Sequence, residues 1–264
     1  MSTAQINQLL SSIGPSHVVA FFLVLVRVAP LFVIAPLFSS KYLPPQVRAA
    51  VGIGLAIGLT GVAAHGQRLP TGALALGGLV IEQLLVGGAL AFALAAMFAA
   101  VQAAGSVLDA VSGFSFGAML NPLTGTQDAI LTQLYALVGT AVFIGLGGEA
   151  WALRGIGRTF DLVPLSGVVA ARSVIDGAVS MFTSILTSAL ELAAPVMLAV
   201  VVTDVAFGML SRVVPQLNVF SVGFPIRVGV AVIVVTISLS FLGGWLGNQI
   251  SGSVNGALRE LVAI

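Results

Sequence analysis

Apolar and polar residues alternate along the chain in long blocks, on the scale of whole helices. Six apolar blocks are long enough, or nearly long enough, to form a helix that spans a bilayer. They cover residues 17–38, 49–64, 71–104, 129–148, 174–202 and 224–247. The second block is short for a clean span. The pattern predicts an all-α membrane subunit with about six apolar helices.

Two of these blocks, 71–104 and 174–202, are too long for one simple span. Each could form a bent helix or a tight hairpin. The stretch 149–172 is the most polar, and we expect it to be a connecting segment. Residues 248–264 are expected to form a short tail. No linker is long enough to separate domains, so a single domain over 1–264 is predicted.

Composition narrows the class of protein. Of 264 residues, 58% are hydrophobic and only 7% are charged, whereas soluble domains carry about 25% charged residues. Lys and Arg (10) nearly balance Asp and Glu (9), so no basic face is available for nucleic acid. There is no cysteine, which excludes thiolate metal sites, and no cofactor is expected. What remains is a membrane protein or a subunit covered by partners.

Five charged residues lie inside or at the edge of the apolar blocks: Arg27, Glu82, Glu191, Asp204 and Arg227. Each would cost about 2.5–3.5 kcal/mol at the centre of a bilayer. They could line a pathway for ions or protons, or they could pair with one another and face partner subunits. The second interpretation is favoured because the sequence has no regular acidic ladder of the kind that proton relays use.

An enzyme is not expected. The stretch 113–117 matches G-x-S-x-G, but the nucleophile elbow needs a preceding strand and a histidine base. The preceding block is helical here, and His17 and His65 lie at the ends of segments. A turn of small residues explains Ser115 better.

Two stretches depart from a regular helical pattern. Residues 113–122 carry large apolar side chains on a glycine-rich backbone, namely Phe114, Phe116, Met119 and Leu120. They could form a soft constriction that gates a pore, or a re-entrant loop that fills space. In 195–227, Pro195 should bend a helix, and Pro215 and Asn218 predict a break before Val219. This break could offer Arg212 to a neighbour's carboxylate, or it could be an ordinary loop.

Specific motifs resemble the FliR family of type III export-gate subunits. They are APVMLAVVVTD at 194–204, GMLSR at 208–212, PQLNVF at 215–220, GFP at 223–225, RVAPLF at 27–32 and APLFSSK at 35–41. In the middle of the chain, Glu82, Gly105 and Asp109 fall where the family pattern expects such residues. Asn121-Pro122 departs mildly from the Asp-Pro that is usual there. The resemblance covers nearly the whole chain.

The resemblance implies a gate subunit, built of helical hairpins, that assembles with FliP and FliQ around a conduit for unfolded flagellar proteins. FlhB and FlhA would control the passage of these proteins. The subunit would be located in the bacterial inner membrane, at the flagellar basal body. In this family a similar segment plugs the closed conduit. The resemblance implies that the plug residues of this chain are Gly113, Phe114, Phe116, Met119 and Leu120. Subunit contacts or buried charges would be Arg27, Glu82, Glu191, Asp204, Arg212 and Arg227.

Two alternatives remain. The first is the homologous export-gate subunit of a virulence secretion system, with the same fold but different cargo. The second is an ion-coupled secondary transporter that uses Glu82, Glu191 and Asp204 as coupling carboxylates, and that would act without partners.

Overall fold

A computed structural model describes residues 15–39, 43–65, 67, 69–70, 72–115, 130–167, 171–214 and 219–262. Within these residues the only regular elements are helices, which confirms the all-α prediction. They are α1 (Pro15–Ile34), α2 (Pro45–Ala63), α3 (Ala73–Ser112), α4 (Ile130–Gly145), α5 (Gly148–Leu162), α6 (Ala171–Val213) and α7 (Val219–Val262).

The number of possible membrane spans agrees with the sequence pattern. By length and composition, five of the described helices could cross a membrane, or up to six if α4 and α5 are counted together as one span. A multi-span helical membrane protein is therefore confirmed, with about six apolar segments as predicted.

Several boundaries differ from the expectations. The two longest apolar blocks form the continuous helices α3, of 40 residues, and α6, of 43 residues, so neither is a hairpin. The polar stretch after α4 is largely helical, because α5 occupies Gly148–Leu162. The expected tail is also helical, since α7 extends to Val262. These segments were expected to be connections because they are polar. That expectation was wrong, because polar residues can also lie on the exposed face of a helix.

Helix ends follow local chemistry. Pro45 is the first residue of α2, where a proline removes no helical hydrogen bond. At the other end of a helix, α3 stops at Ser112 because Gly113 adopts a φ of +92°. This left-handed conformation ends many helices and is easiest for glycine. The apolar block of the sequence ends at 104, but the helix continues: residues 105–112 are the last turns of α3.

Contacts divide the chain into two compact units. The first consists of Met1–Ala95, Glu149–Ser180 and Ser251–Ile264, and the second of Ala96–Gly148 and Met181–Ile250. The boundaries fall inside α3, α6 and α7 and after the first residue of α5. Three long helices therefore contribute residues to both units. A single domain over 1–264 stays a prediction.

In the first unit, small residues allow close helix packing. A Cβ at Gly52 of α2 would lie 3.6 Å from the Phe32 ring of α1, which is ordinary contact. At Gly87 of α3 a Cβ would overlap the backbone carbonyl of Arg27, so α1 approaches α3 as closely as two backbones can. The Arg27 side chain lies at this crossing.

In the second unit, the C-terminal half of α3 packs antiparallel to α4. A Cβ at Gly105 would lie 2.7 Å from the Cα of Thr132, and one at Gly139 would lie 3.0 Å from Val101. Further along, the rings of Phe98 and Phe143 stand 5.1 Å apart. As the α3 residue number falls, that of α4 rises, which defines the antiparallel register.

Candidate functional site

Arg27 is fully buried in the first unit and donates to four acceptors. Its Nε donates to Gln83 Oε1 at 2.6 Å. Its Nη1 donates to the carbonyls of Thr159 at 3.0 Å and Val163 at 2.8 Å, and to the Thr159 hydroxyl at 3.4 Å. The guanidinium also lies 4.4 Å from the centre of the Phe160 ring.

The charge of Arg27 is balanced without a carboxylate among the described residues. The two carbonyls belong to the C-terminal end of α5, where helix dipoles leave partial negative charge. Gln83 extends the network, because its Nε2 donates to the Leu165 carbonyl at 3.1 Å. Arg27 and Gln83 together fix the end of α5 and the residues that follow it. Arg27 is therefore a buried charge that finds acceptors within the chain through Nε and Nη1, while its buried Nη2 has no hydrogen-bond partner among the described residues.

A second polar cluster, here called the α3 junction, lies where α3 ends. It comprises Asp109, Val111 and Gly113 of the α3 end, Leu131 and Thr132 of α4, Asp204 of α6, and Phe224 and Arg227 of α7. All of these residues belong to the second unit. The junction borders residues 116–129, which lie outside the described residues.

Asp109 holds the start of α4 to α3. Its carboxylate is buried and accepts the backbone N–H of Leu131 at 2.9 Å and that of Thr132 at 2.8 Å. It also accepts the Thr132 hydroxyl at 2.8 Å. The first N–H groups of a helix have no partner inside the helix and carry partial positive charge, so a carboxylate is their natural acceptor. Asp109 acts as an N-terminal cap supplied by another helix.

Arg227 connects three helices at the same junction. Its Nη2 donates to the Val111 carbonyl at 2.5 Å and lies 3.3 Å from Asp204 Oδ2. Side-chain exposure is 32% for Arg227 and 46% for Asp204, so this ion pair remains partly accessible. Next to it, the Phe224 ring occupies the space beside Gly113, where a Cβ would lie 2.8 Å from a ring carbon. A side chain at 113 would therefore meet both an unfavourable φ and this ring.

The remaining predicted site residues are not brought together. Glu82 is half-buried beside Gln83, and its Oε2 is buried with no hydrogen-bond partner in the described part of the chain. Glu191 is exposed on α6. Arg212 is exposed in the last turn of α6, where a cation favours the helix end.

Of the predicted plug, only the first residues can be placed. Gly113 is buried and Phe114 half-buried, in a turn directly after α3. Phe116, Met119 and Leu120 lie outside the described residues.

Sequence reasoning missed several participants. The sequence around Gln83 and Thr159 does not indicate that they contact Arg27, apart from their being polar residues in or near apolar segments. Arg27 lies 56 positions from Gln83 and 132 positions from Thr159. Asp109 was noticed only through the family pattern, and its role as a cap for α4 could not be inferred without the packing of α3 on α4.

Comparison with known proteins gives the family. The model of bacterial export proteins, family 1, matches residues 18–253. The flagellar biosynthetic protein FliR of Bacillus subtilis is 27% identical over 248 residues, which cover 93% of this chain and 95% of that protein. FliR of Escherichia coli is 27% identical over 80% of this chain and 81% of that protein.

A relative with a different name is equally similar. The surface presentation of antigens protein SpaR of Shigella flexneri is 29% identical over 222 residues, 81% of this chain and 82% of that protein. The matches to FliR and SpaR proteins extend over most of both chains. Together with the family match and the helices of membrane-spanning length, they show that this chain belongs to family 1 of the bacterial export proteins.

Proposed function

We propose that the chain is a structural gate subunit of a flagellar type III export apparatus. The observation that carries the proposal is the match of residues 18–253 to a family of bacterial export proteins. Membrane helices and a family of export-apparatus subunits support a structural role rather than an enzymatic one. The subunit would lie in the bacterial inner membrane at the flagellar basal body.

The proposed partners are FliP and FliQ, which would form the conduit with this chain, and FlhB and FlhA, which would control entry. Unfolded flagellar proteins would be the cargo. Two features support an obligate assembly: α6 and α7 leave much of their apolar surface exposed, and Glu82, Glu191 and Arg212 have no ion-pair partner within the described residues. We assign these three side chains, with Asp204 and Arg227, to the region of subunit contacts.

Within this assembly, residues Gly113, Phe114, Phe116, Met119 and Leu120 would close the conduit. Support comes from the α3 junction, whose contacts hold the end of α3 and the start of α4, the two helix ends from which this segment departs. A segment that must block a conduit needs fixed ends, and buried polar contacts such as those of Asp109 provide them.

Leakage through the assembled gate tests the plug. Phe114→Ala combined with Phe116→Ala should let ions and small solutes pass in cells that contain the complete export apparatus, because two large apolar side chains are removed from the constriction. Phe92→Ala, which removes a partly exposed ring elsewhere on α3, is the matched control. If both variants assemble and neither leaks, the plug assignment is wrong.

Virulence secretion remains the second candidate, because SpaR of Shigella flexneri is as similar as the FliR proteins. Complementation separates the two. If the cargo is flagellar, expression of this chain in a flagellated species from which FliR has been deleted should restore its filaments. If the cargo is a virulence protein, expression in a strain that lacks SpaR should restore its secretion. Solute transport by the purified chain alone in liposomes would contradict both and favour the transporter hypothesis.

A further inference from the structure

An exposed carboxylate interrupts the apolar surface of α6. Residues 175–213 of this helix are apolar enough to span a membrane, yet Glu191 is exposed within them. Four residues three to seven positions away are also exposed, namely Thr187, Ala194, Pro195 and Leu198, whereas Ser188 is buried. The carboxylate thus stands on a face that is otherwise apolar or weakly polar.

Pro195 adds a second acceptor at the same place. In an α-helix the carbonyl of residue i accepts the N–H of residue i+4, and proline has no N–H. The carbonyl of Glu191 therefore lacks the N–H that residue 195 would otherwise donate to it. Glu191 offers both a carboxylate and a backbone carbonyl on one exposed turn, and we call this the Glu191 acceptor pair.

The carboxylate of the acceptor pair has no cationic partner in the described part of the chain. No Lys or Arg of these residues lies within ion-pair distance of Glu191. The nearby hydroxyl of Thr187 already donates to the carbonyls of Thr183 and Ser184, at 3.2 and 3.1 Å. Arg212 is on the same helix but 21 residues away, which corresponds to about 30 Å along the axis.

Lipid cannot satisfy this site. Hydrocarbon has no hydrogen-bond donors, and both an ionised carboxylate and an unpaired carbonyl are unfavourable in it. The site needs a cation with at least two N–H groups that point in fixed directions. Arginine fits best, because its planar guanidinium can donate to a carboxylate and to a neighbouring carbonyl at once, whereas lysine presents a single ammonium.

We propose that the Glu191 acceptor pair binds an arginine on a helix of a neighbouring membrane subunit, with the surrounding leucines packing against that helix. Leu190 and Leu198, exposed by 54% and 66%, provide apolar contact on either side. The inference rests on the proposed function, since it requires that the chain act inside a hetero-oligomer. It goes further in naming the side chain of the partner and the two acceptors that receive it.

Recovery of partner subunits on the tagged chain, purified in mild detergent from cells that express the neighbouring genes, tests this contact. Glu191→Gln keeps an acceptor but removes the charge, and it should lower recovery about tenfold, as expected for a hydrogen bond to a charged group. Pro195→Ala restores the helical N–H and should lower recovery less. Asp176→Asn is the matched control, because Asp176 is an exposed carboxylate of the same helix already paired with Arg172 at 3.7 Å.

Photo-cross-linking gives a measurement that does not depend on a destabilised variant. A photoreactive residue at Leu198 should link to a membrane-subunit peptide with an arginine within one helical turn of the linked position. Changing that arginine to Glu should reduce recovery, and Glu191→Arg in the same cells should restore it.

The outcomes separate the inference from the proposed function. If the wild-type chain recovers no membrane subunit, both are wrong. If it recovers subunits but Glu191→Gln recovers them equally well, and Leu198 links to no protein, only the inference is wrong. Labelling of Glu191 by dicyclohexylcarbodiimide in the intact complex would also overturn it, because that reagent modifies protonated carboxyl groups that face lipid.

Discussion

Two arginines of this chain cap the C-terminal end of a helix, but their surroundings differ. Arg27 is fully buried and donates to carbonyls at the end of α5 and to the amide of Gln83. Arg227 is partly exposed, donates to the carbonyl of Val111 near the end of α3, and pairs with Asp204. Each belongs to a different compact unit.

The different exposure of the two arginines predicts different roles for their contacts. The acceptors around Arg27 are enclosed in the protein, so an acceptor that loses its donor there destabilises the fold. An ion pair in contact with water can exchange partners, because water and salt compete for both charges. We therefore expect Arg27 to determine whether the first unit folds, and Arg227 to adjust how firmly the α3 junction holds.

The largest effect is expected from Arg27→Met. This change preserves much of the volume but removes the Arg27 donor from Gln83 Oε1 and from the Val163 carbonyl, whereas the Thr159 carbonyl still accepts the N–H of Val163 at 2.9 Å. The loss should be about 3 kcal/mol or more, enough to reduce the amount of folded subunit in the membrane. Size-exclusion chromatography and thermal unfolding in detergent measure it. Arg154→Met on the exposed face of α5 is the control, and equal stability of the two variants would contradict the account of Arg27.

The next largest effect is expected at the crossing of α1 and α3. Gly87→Ala places a Cβ against the carbonyl of Arg27, whereas Gly88→Ala meets nothing within 4 Å. The first should lower stability by about 1–3 kcal/mol, because two backbones must separate. The second should be neutral or slightly stabilising, since alanine favours helix. Similar unfolding temperatures for both variants would show that the Arg27 network does not need this close approach.

A smaller effect is expected at the α3 junction from Asp109→Ala. It removes the acceptor for two backbone N–H groups and one hydroxyl at the start of α4, and should cost about 1–2 kcal/mol. Asp109→Asn retains one acceptor oxygen and should cost less. Hydrogen exchange of the Leu131 and Thr132 amides reports the contact directly. Ser106→Ala, one turn earlier on an exposed part of α3, should leave these amides protected.

The smallest effect is expected from the ion pair itself. A double-mutant cycle with Asp204→Asn and Arg227→Gln should give a coupling energy below about 1 kcal/mol, and added salt should reduce it further. A coupling energy as large as the effect of Arg27→Met would remove the contrast between the two arginines. A coupling that does not change with salt would show that the pair is more enclosed than its exposure indicates.

The class of the protein, its all-α architecture and its family follow from the amino-acid sequence alone. Apolar blocks of membrane-spanning length and scarce charge leave few alternatives, because a bilayer requires helices whose backbone groups are satisfied internally. Motifs such as PQLNVF at 215–220 then indicated the export family, which the comparison with known proteins confirmed.

The helix limits and the partners of the charged residues, by contrast, depend on how the helices pack. The apolar block of the sequence ends at 104, but Gly105 lets α4 approach and Asp109 caps α4, and α3 continues to Ser112. Likewise Arg27 gave no indication that it would meet carbonyls 132 and 136 positions away rather than a carboxylate. Such contacts depend on which helices pack together, and a local pattern of residue types does not contain that information.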